Sequence, residues 1–161
     1  MKSLLVYSSR SGNTQKLAKA VYNELKGEKR LVPITELPLD NYDYDLVALG
    51  FPIMAGRVEP RAARFLAGFE QKTRLVLFMT HGSRKDSRLV QDVMAQATAL
   101  VKNAEIVGRY SCQGEVEQKV LGKLAKSSHP FPWLKDAGDA KGHPDCADIK
   151  ALVRLITSFV V

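Results

Sequence analysis

Short apolar runs alternate along the chain with segments of helical periodicity, and this order is the feature that most limits the folds open to it. The runs that predict strands cover residues 3–7, 31–34, 45–50, 74–80 and 106–110. Residues 46–49 and 75–79 are apolar at every position, which is typical of strands buried on both faces. The sequence therefore predicts an α/β fold in which helices cover both sides of a parallel sheet.

Helices are predicted between or after most of these runs. Their expected ranges are residues 15–25, 60–69, 84–102, roughly 115–126 and 145–159. Residues 127–144 lie between the last two helices, are rich in proline and glycine, and contain the chain's one tryptophan, Trp133. Because residues 131–134 are mostly apolar, this segment is expected to be an ordered surface excursion. The whole pattern fits one domain of residues 1–161.

The composition favours a soluble protein with a full core. The chain has 161 residues, of which 45% are hydrophobic. Since no apolar run approaches the roughly 18 to 20 residues of a membrane-spanning helix, we expect no membrane insertion. The N-terminus enters a strand pattern directly, which argues against a signal peptide and favours a cytoplasmic location. Cys112 and Cys146 form no Cys-x-x-Cys pair, so we expect reduced thiols and no metal site.

The chain is basic, with 24 Lys and Arg residues against 17 Asp and Glu residues and a formal charge of +7. This balance favours an acidic protein partner, an anionic small molecule or nucleic acid. Nucleic acid is the least favoured of the three, because the basic residues are scattered and no nucleic-acid motif is present.

Residues 8–14, Ser-Ser-Arg-Ser-Gly-Asn-Thr, follow the first predicted strand and run directly into a helix. A helix N-terminus offers free backbone N–H groups and the positive end of the helix dipole. Gly12 lets the chain turn close to an anion, while Ser9, Ser11 and Thr14 can donate hydrogen bonds to its oxygens. We interpret the segment as a phosphate cradle. Helix capping by Ser11 or Asn13 is the alternative, and it accounts for one or two of these residues only.

Other phosphate-binding motifs do not match this loop. A mononucleotide P-loop requires Gly-x-x-x-x-Gly-Lys-Ser/Thr and a dinucleotide loop requires Gly-x-Gly-x-x-Gly, and neither is present. A phosphotyrosine phosphatase needs a cysteine nucleophile, which the loop lacks. A response-regulator receiver has carboxylates where this chain has Ser8 and Gly50.

The pattern Ser9-x-Ser11-Gly12-x-Thr14 after an N-terminal strand resembles the FMN phosphate loop of flavodoxins, Ser/Thr-x-Ser/Thr-Gly-x-Thr. The resemblance extends over most of the chain, because the spacing of the strands fits a flavodoxin-like sheet. It implies a doubly wound, five-stranded parallel sheet in the order 2-1-3-4-5. FMN would then lie at the carboxyl ends of the strands, where the strand order reverses.

The resemblance also implies which residues contact FMN. They follow the first, third, fourth and fifth strands: Ser9, Arg10, Ser11, Gly12, Asn13, Thr14, Pro52, Ile53, Met54, Ala55, Gly56, Arg57, Thr80, His81, Gly82, Ser83, Cys112, Gln113 and Gly114. Flavodoxins commonly stack aromatic residues on the flavin, whereas these loops offer Ile53, Met54 and His81, with Phe51 expected to point inward. We therefore expect a more exposed flavin with altered redox potentials. No catalytic residue is expected, because FMN itself carries the chemistry.

Several of these side chains also have a structural interpretation. Cys112 is expected to be a buried small hydrophobe rather than a reactive thiol. His81 either contacts the flavin edge or lies in a solvated turn. His129 and His143, which precede prolines, are expected to be structural. Trp133 is expected to pack over a helix, although a loop folding over the ligand would bring it near the flavin.

Cations are frequent between the two central flavin loops. Residues 57–88 contain Arg57, Arg61, Arg64, Lys72, Arg74, Arg84, Lys85 and Arg88 against Glu59, Glu70 and Asp86. Ordinary flavodoxins are acidic, and a positive rim should instead stabilise the anionic reduced flavin. The hypothesis is that Arg57 and either Arg84 or Lys85 do so, and that they dock an acidic partner or an anionic substrate. A solvated basic face without redox effect is the alternative.

The favoured function is an FMN-binding electron carrier that passes electrons to a partner reductase with an acidic docking face. The main alternative is an FMN-dependent oxidoreductase that acts directly on a quinone, a porphyrinogen or a similar conjugated substrate. Turnover without any partner protein separates the two. A flavin-free interaction module is the third possibility, and the phosphate loop argues against it.

Overall fold

The computed structural model describes residues 1–37, 43–129 and 131–160. In chain order the elements are β1 (Lys2–Tyr7), α1 (Asn13–Glu24), β2 (Glu28–Pro33), a 3-10 turn (Ile34–Glu36), β3 (Leu46–Met54), β4 (Arg57–Val58), α2 (Pro60–Gly68), β5 (Arg74–His81), α3 (Arg88–Leu100), β6 (Glu105–Gln113), α4 (Gln118–Ala125), a second 3-10 turn (Pro132–Asp136) and α5 (Cys146–Thr157). None of the helices in the described ranges is long and apolar enough to cross a membrane.

The sheet contains the predicted parallel strands and one strand that was not predicted. The parallel strands lie in the order β2-β1-β3-β5-β6, and β4 pairs antiparallel with the end of β3. Without β4 this is the expected order 2-1-3-4-5, so the predicted topology was incomplete. Ala55 and Gly56, with φ of 48° and 71°, form the turn between β3 and β4. Two-residue turns of this kind favour Asn-Gly or Asp-Gly. Because Ala-Gly is not typical of such a turn, the sequence does not predict it.

Helices cover both faces of the sheet. Buried residues of α2 and α3 pack on one face, and those of α1 and α5 pack on the other. On β1, Leu4 and Val6 face the first cluster and Leu5 faces the second. Successive side chains of a strand point to opposite faces, so apolar residues at every position fill both cores. The expectation of strands buried on both sides is confirmed.

Several predicted elements have different ends in the structure. β2 begins earlier than expected, because it pairs with β1 along its whole length, with Glu28 opposite Lys2. β3 and β6 continue further than expected. α3 begins later, at Arg88, because the Ser87 hydroxyl accepts a hydrogen bond from the Val90 N–H and caps the helix there.

Hydrogen bonds join the two ends of the segment between β6 and α5. The Glu115 N–H donates to the His143 carbonyl at 2.8 Å, and the Glu115 carboxylate accepts from the Gly142 N–H at 2.9 Å. The Lys16 ammonium donates to the Pro144 carbonyl and thereby links the C-terminal end of this segment to α1. Within the predicted excursion at residues 127–144, residue 130 lies outside the described ranges. α4 contributes no buried residue to the fold.

Candidate functional site

A cavity of about 550 Å³ opens at the carboxyl ends of β1, β3 and β5. Sites for small molecules and cofactors typically have volumes of about 300–1,000 Å³. All of the predicted cofactor contacts line this cavity except Gly12, Arg57, Cys112 and Gln113. The loops that sequence reasoning selected are therefore brought together by the sheet topology.

The N-terminus of α1 lies at one end of the cavity without a side-chain cap. Gly12 occupies the N-cap position with φ of 95°, a left-handed conformation that favours glycine. α4 also begins without a side-chain cap, at Glu117, whereas α2, α3 and α5 are capped by the side chains of Glu59, Ser87 and Asp145. Capping by Ser11 or Asn13 is thus not what the structure shows, because the Asn13 amide donates to the Glu115 carbonyl instead. The first N–H groups of α1 remain available to an anion.

Two buried hydroxyls connect the first turn of α1 with the carboxyl end of β5. Thr14 Oγ1 and Thr80 Oγ1 lie 2.9 Å apart, and both side chains are buried and line the cavity. One hydroxyl proton is used between them, so the other is free to donate to a ligand oxygen. Ser9 stabilises the conformation of the loop, because its hydroxyl oxygen accepts a hydrogen bond from the Gly12 N–H at 3.1 Å.

His81 is buried, with 6% of its surface exposed, so the solvated turn considered above is not its environment. Its Nδ1 lies 2.8 Å from the Ser83 carbonyl, which accepts a hydrogen bond, and Nδ1 therefore carries the proton. Burial lowers the His81 pKa to about 4, so the ring is neutral near pH 7. Nε2 is consequently a hydrogen-bond acceptor, and it is buried without a partner among the described residues.

The carboxyl end of β3 and the turn after it give the cavity an aliphatic side. Pro52, Ile53 and Met54 line it, and the β3–β4 turn at residues 55–56 continues the same edge. Phe51 is fully buried in the core, as expected, and does not reach the cavity. No aromatic side chain from this loop is therefore present for a planar ligand.

Another side of the cavity is formed by residues in and beside α4 and the second 3-10 turn; of these, only Trp133 was considered near the flavin from the sequence, as the alternative to packing over a helix. We call its five side chains the apolar wall: Val116, Val120, Leu124, Phe131 and Trp133. Leu89, Glu115 and Glu117 also line the cavity and were likewise not predicted. The helical spacing of Val120 and Leu124 was visible in the sequence, but nothing there showed which surface they face.

The four predicted contacts outside the cavity have other positions. Gly12 forms the N-cap of α1 beside the cavity, and Arg57 is exposed on β4. Cys112 is fully buried in the core, and burial raises the pKa of its thiol to about 12, so its interpretation as a small hydrophobe is confirmed. The Gln113 amide nitrogen is buried and has no hydrogen-bond partner among the described residues.

Two of the three cations considered as flavin neighbours are engaged elsewhere. The Arg84 guanidinium lies 3.3 Å from the Asp86 carboxylate, and both groups are exposed. The Lys85 ammonium lies 5.1 Å from the centre of the Tyr110 ring, in a separate groove beside α3. Arg57 is therefore the better candidate of the three.

His143 and the start of α5 form a small polar cluster beside this region. Asp145 caps α5 by accepting from the N–H groups of Ala147 and Asp148, and these bonds lower the Asp145 pKa. The Asp148 carboxylate in turn accepts from the Asp145 N–H and lies 2.5 Å from His143 Nδ1. These groups therefore stabilise the N-terminus of α5, which agrees with a structural role for His143.

A parallel sheet with an uncapped helix terminus and an apolar cavity at its carboxyl edge defines an α/β protein that binds a phosphorylated ligand. The match to known families is consistent with this class. The chain belongs to the flavodoxin family, because the family model described as a flavodoxin domain matches residues 4–157.

One curated relative and two solved structures are similar to this chain. The flavodoxin-like domain-containing protein BilS of Clostridioides difficile (strain CD3) is 28% identical over 160 residues, covering 92% of this chain and 90% of BilS. A flavodoxin from the domain Archaea is similar in structure, with a TM-score of 0.63 at 16% identity over 99% of this chain and 96% of that one. A flavoprotein from Lactobacillus acidophilus NCFM, solved in complex with FMN, has a TM-score of 0.54 at 18% identity over 78% and 99% of the two chains.

FMN is the cofactor of this family, and the residues present fit it. The uncapped start of α1 and the hydroxyl pair of Thr14 and Thr80 provide the donors that a phosphate requires. The aliphatic loop and the apolar wall suit a planar ring. Nε2 of His81 is a buried acceptor with no partner among the described residues, and a flavin ring carries an N–H group that could donate to such an atom.

Proposed function

We propose that this chain is an electron carrier that holds FMN in the cavity and passes electrons to a partner protein. One observation carries the proposal: the uncapped N-terminus of α1 and the Thr14–Thr80 hydroxyl pair lie at one end of a largely apolar cavity. This combination suits a ligand with a phosphate at one end and a planar ring at the other.

The side chains of the chain would bind and orient the cofactor rather than react. When bound, FMN supplies reversible one-electron and two-electron chemistry. His81 is a poor proton donor near pH 7, because its pKa is lowered to about 4 by burial. The Cys112 thiol is a poor nucleophile there, because burial raises its pKa to about 12. A carrier, which needs no acid, base or nucleophile, agrees with these two environments.

The first test is a titration of the purified protein with FMN, followed by visible absorption. Thr14→Val keeps the shape of the side chain and removes the hydroxyl that contacts Thr80, so FMN affinity should fall about tenfold or more. Thr157→Val is the matched control, because Thr157 lies at the end of α5 and its hydroxyl bonds within that helix. Absence of any shift in the flavin bands would reject the proposal and favour the flavin-free interaction module.

We further propose that the partner presents an acidic face to Arg57. Arg57 is exposed on β4 and lies opposite Met54, which lines the cavity. A positive charge at this edge would attract an acidic surface and would stabilise the negative charge that the cofactor gains on reduction. Glu115 and Glu117 line another part of the same cavity, so we expect the attraction to be local to the β3–β4 turn.

Redox titration of Arg57→Glu tests this second step. We expect a more negative potential for full reduction and slower electron transfer, whose rate no longer falls when salt is added. Lys26→Glu makes the same change of charge just beyond the C-terminus of α1, at the opposite edge of the sheet, and should leave the potential unchanged. Equal potentials for the wild type and Arg57→Glu would show that Arg57 belongs to a solvated basic face.

The exposure of the apolar wall favours a second candidate function. Val120 and Phe131 are 41% and 40% exposed beside the cavity, although both are large and apolar. An open apolar edge of this kind suits an FMN-dependent oxidoreductase that acts directly on a conjugated substrate. Turnover of a soluble quinone such as menadione by the purified protein, with a chemical reductant and no partner, would support this candidate over the carrier.

A further inference from the structure

The larger aromatic rings of the cavity come from the segment between β6 and α5, which is the alternative that the sequence left open for Trp133. The carboxyl ends of β3 and β5 contribute Ile53, Met54 and the imidazole of His81, and no larger ring. Phe131 and Trp133, at the start of the second 3-10 turn, are the other aromatic residues that line the cavity in the described ranges. Their ring centres lie 6.3 Å apart, with 38° between the planes.

Trp133 is seated against the loop that follows β5. A Cβ atom built on Gly82 would lie 3.0 Å from Trp133 Cζ3 and 2.7 Å from Val116 Cγ2. Both distances are shorter than an ordinary carbon–carbon contact of about 3.5–4.0 Å. Only a residue without a side chain leaves room for the indole at this place. Gly82 therefore brings the ring of Trp133 onto a loop that would contact the flavin.

Glu115, which directly precedes the first residue of the apolar wall, is also hydrogen-bonded to the phosphate cradle. The Asn13 amide, in the first turn of α1, donates to the Glu115 carbonyl at 3.0 Å. Gly114 makes this possible, because a Cβ there would lie 2.6 Å from Asn13 Nδ2. The start of the wall is thus joined to the groups that would hold the phosphate, and the contact of Trp133 with Gly82 places its ring beside the same cavity.

The geometry points to Trp133, supported by Phe131, as the aromatic surface on which the flavin ring of FMN stacks. The inference rests on the proposed function, because it requires FMN in the cavity. Large aromatic rings favour stacked or tilted contacts with other planar rings. A bound flavin would cover apolar surface of Phe131 that is now exposed. Trp133 would supply the aromatic contact that the loops after β3 and β5 lack.

The emission of Trp133 tests this placement without any substitution. The chain contains one tryptophan, so emission excited beyond the tyrosine band reports on Trp133 alone. We expect FMN to quench this emission strongly, with the same saturation curve as the shift in flavin absorption. Inorganic phosphate, which would occupy the cradle only, should leave the emission unchanged.

Two substitutions separate stacking from simple packing. Trp133→Leu retains an apolar side chain and removes the ring, and we expect it to raise the Kd for FMN about tenfold. Trp133→Phe retains a ring and should change the Kd by less than about threefold. Binding of inorganic phosphate should be equal in both variants, because the α1 N-terminus and the Thr14–Thr80 pair would hold it and neither is changed.

The outcomes distinguish this inference from the proposed function. Quenching in the wild type together with a weaker Kd for Trp133→Leu supports stacking. If FMN binds while Trp133 emission stays constant, or if Trp133→Leu binds as well as Trp133→Phe, the flavin lies elsewhere in the cavity and the inference is wrong. If no flavin shift occurs in the wild type, the proposed function and this inference are both rejected.

Discussion

Replacement of Gly50 by alanine tests whether the core and the phosphate cradle share one packing constraint. A Cβ atom at position 50 would lie 2.2 Å from Phe78 Cε2 and 2.9 Å from Thr14 Cγ2. Carbon atoms in contact are normally about 3.5–4.0 Å apart. Phe78 is fully buried between the sheet and its helices, so the ring cannot move aside into solvent. The added methyl group must therefore displace packed atoms.

We expect Gly50→Ala to destabilise the protein by about 1–3 kcal/mol, as other overpacked cores do. A loss of about 2 kcal/mol, with a urea dependence of about 2 kcal/mol/M, lowers the midpoint of urea unfolding by about 1 M. The measurement should use flavin-free protein, because a ligand that binds the folded state adds its own stabilisation. FMN affinity should also fall, because Thr14 is displaced.

Gly68→Ala is the matched control for this experiment. Gly68 ends α2, and a Cβ there meets no atom within 4 Å, so stability should change by less than about 0.5 kcal/mol. Phe78→Leu lacks the two ring atoms closest to the new methyl group, so adding it to Gly50→Ala should cost less than Phe78→Leu alone. Equal urea midpoints for Gly50→Ala and Gly68→Ala would refute the packing argument.

Three further predictions follow from individual environments. Burial lowers the His81 pKa to about 4, so near pH 5 the unfolded chain binds a proton at His81 that the folded chain does not bind. Lowering the pH from 7 to 5 should therefore reduce the free energy of unfolding by about 2 kcal/mol. The His81→Asn variant should not show this loss. A thiol reagent at pH 8 should label Cys146, which is exposed, and should label Cys112 only after denaturation, because its pKa is about 12. Tyr110→Phe removes a 2.9 Å hydrogen bond from the Tyr110 hydroxyl to the Asp148 carbonyl, and urea unfolding should show a loss of about 1 kcal/mol.

Each of these predictions has a contrary result. Parallel loss of stability with pH in the wild type and in His81→Asn would mean that His81 does not titrate as an isolated buried ring. Labelling of both cysteines in the native protein would place Cys112 at an accessible surface. Unchanged stability of Tyr110→Phe would mean that water in the unfolded chain satisfies the hydroxyl as well as the Asp148 carbonyl does in the folded protein.

The helix start at Gly12, with its neighbouring hydroxyls, could be predicted because its residues are local. Ser9, Gly12 and Thr14 lie within one short segment that follows a strand, and their spacing is visible without knowledge of the fold. The parallel sheet was predictable for a similar reason, since its strands are apolar at every position. Both features depend on neighbours in the sequence.

The apolar wall and β4 could not be predicted, because they depend on distant or unusual pairings. Trp133 reaches Gly82 only after the chain has folded, and no sequence periodicity relates the two positions. Cys112 was assigned to the site by its proximity to the end of β6. The ladder places it opposite Thr80, however, and its side chain belongs to the core between β6, α1 and α5. Side-chain direction at a strand end alternates residue by residue, so a loop position alone does not determine it.

The absence of buried residues in α4 has a consequence for how the molecule opens. Helices in proteins derive most of their stability from apolar burial, so α4 should unfold locally at a much lower free energy than the sheet. Its amide hydrogens should exchange with solvent long before those of β3 and β5. The helix beside the cavity would then act as the entrance through which a large ligand arrives and leaves while the two cores stay intact. Bound ligand should slow hydrogen exchange in α4 more than anywhere else in the chain.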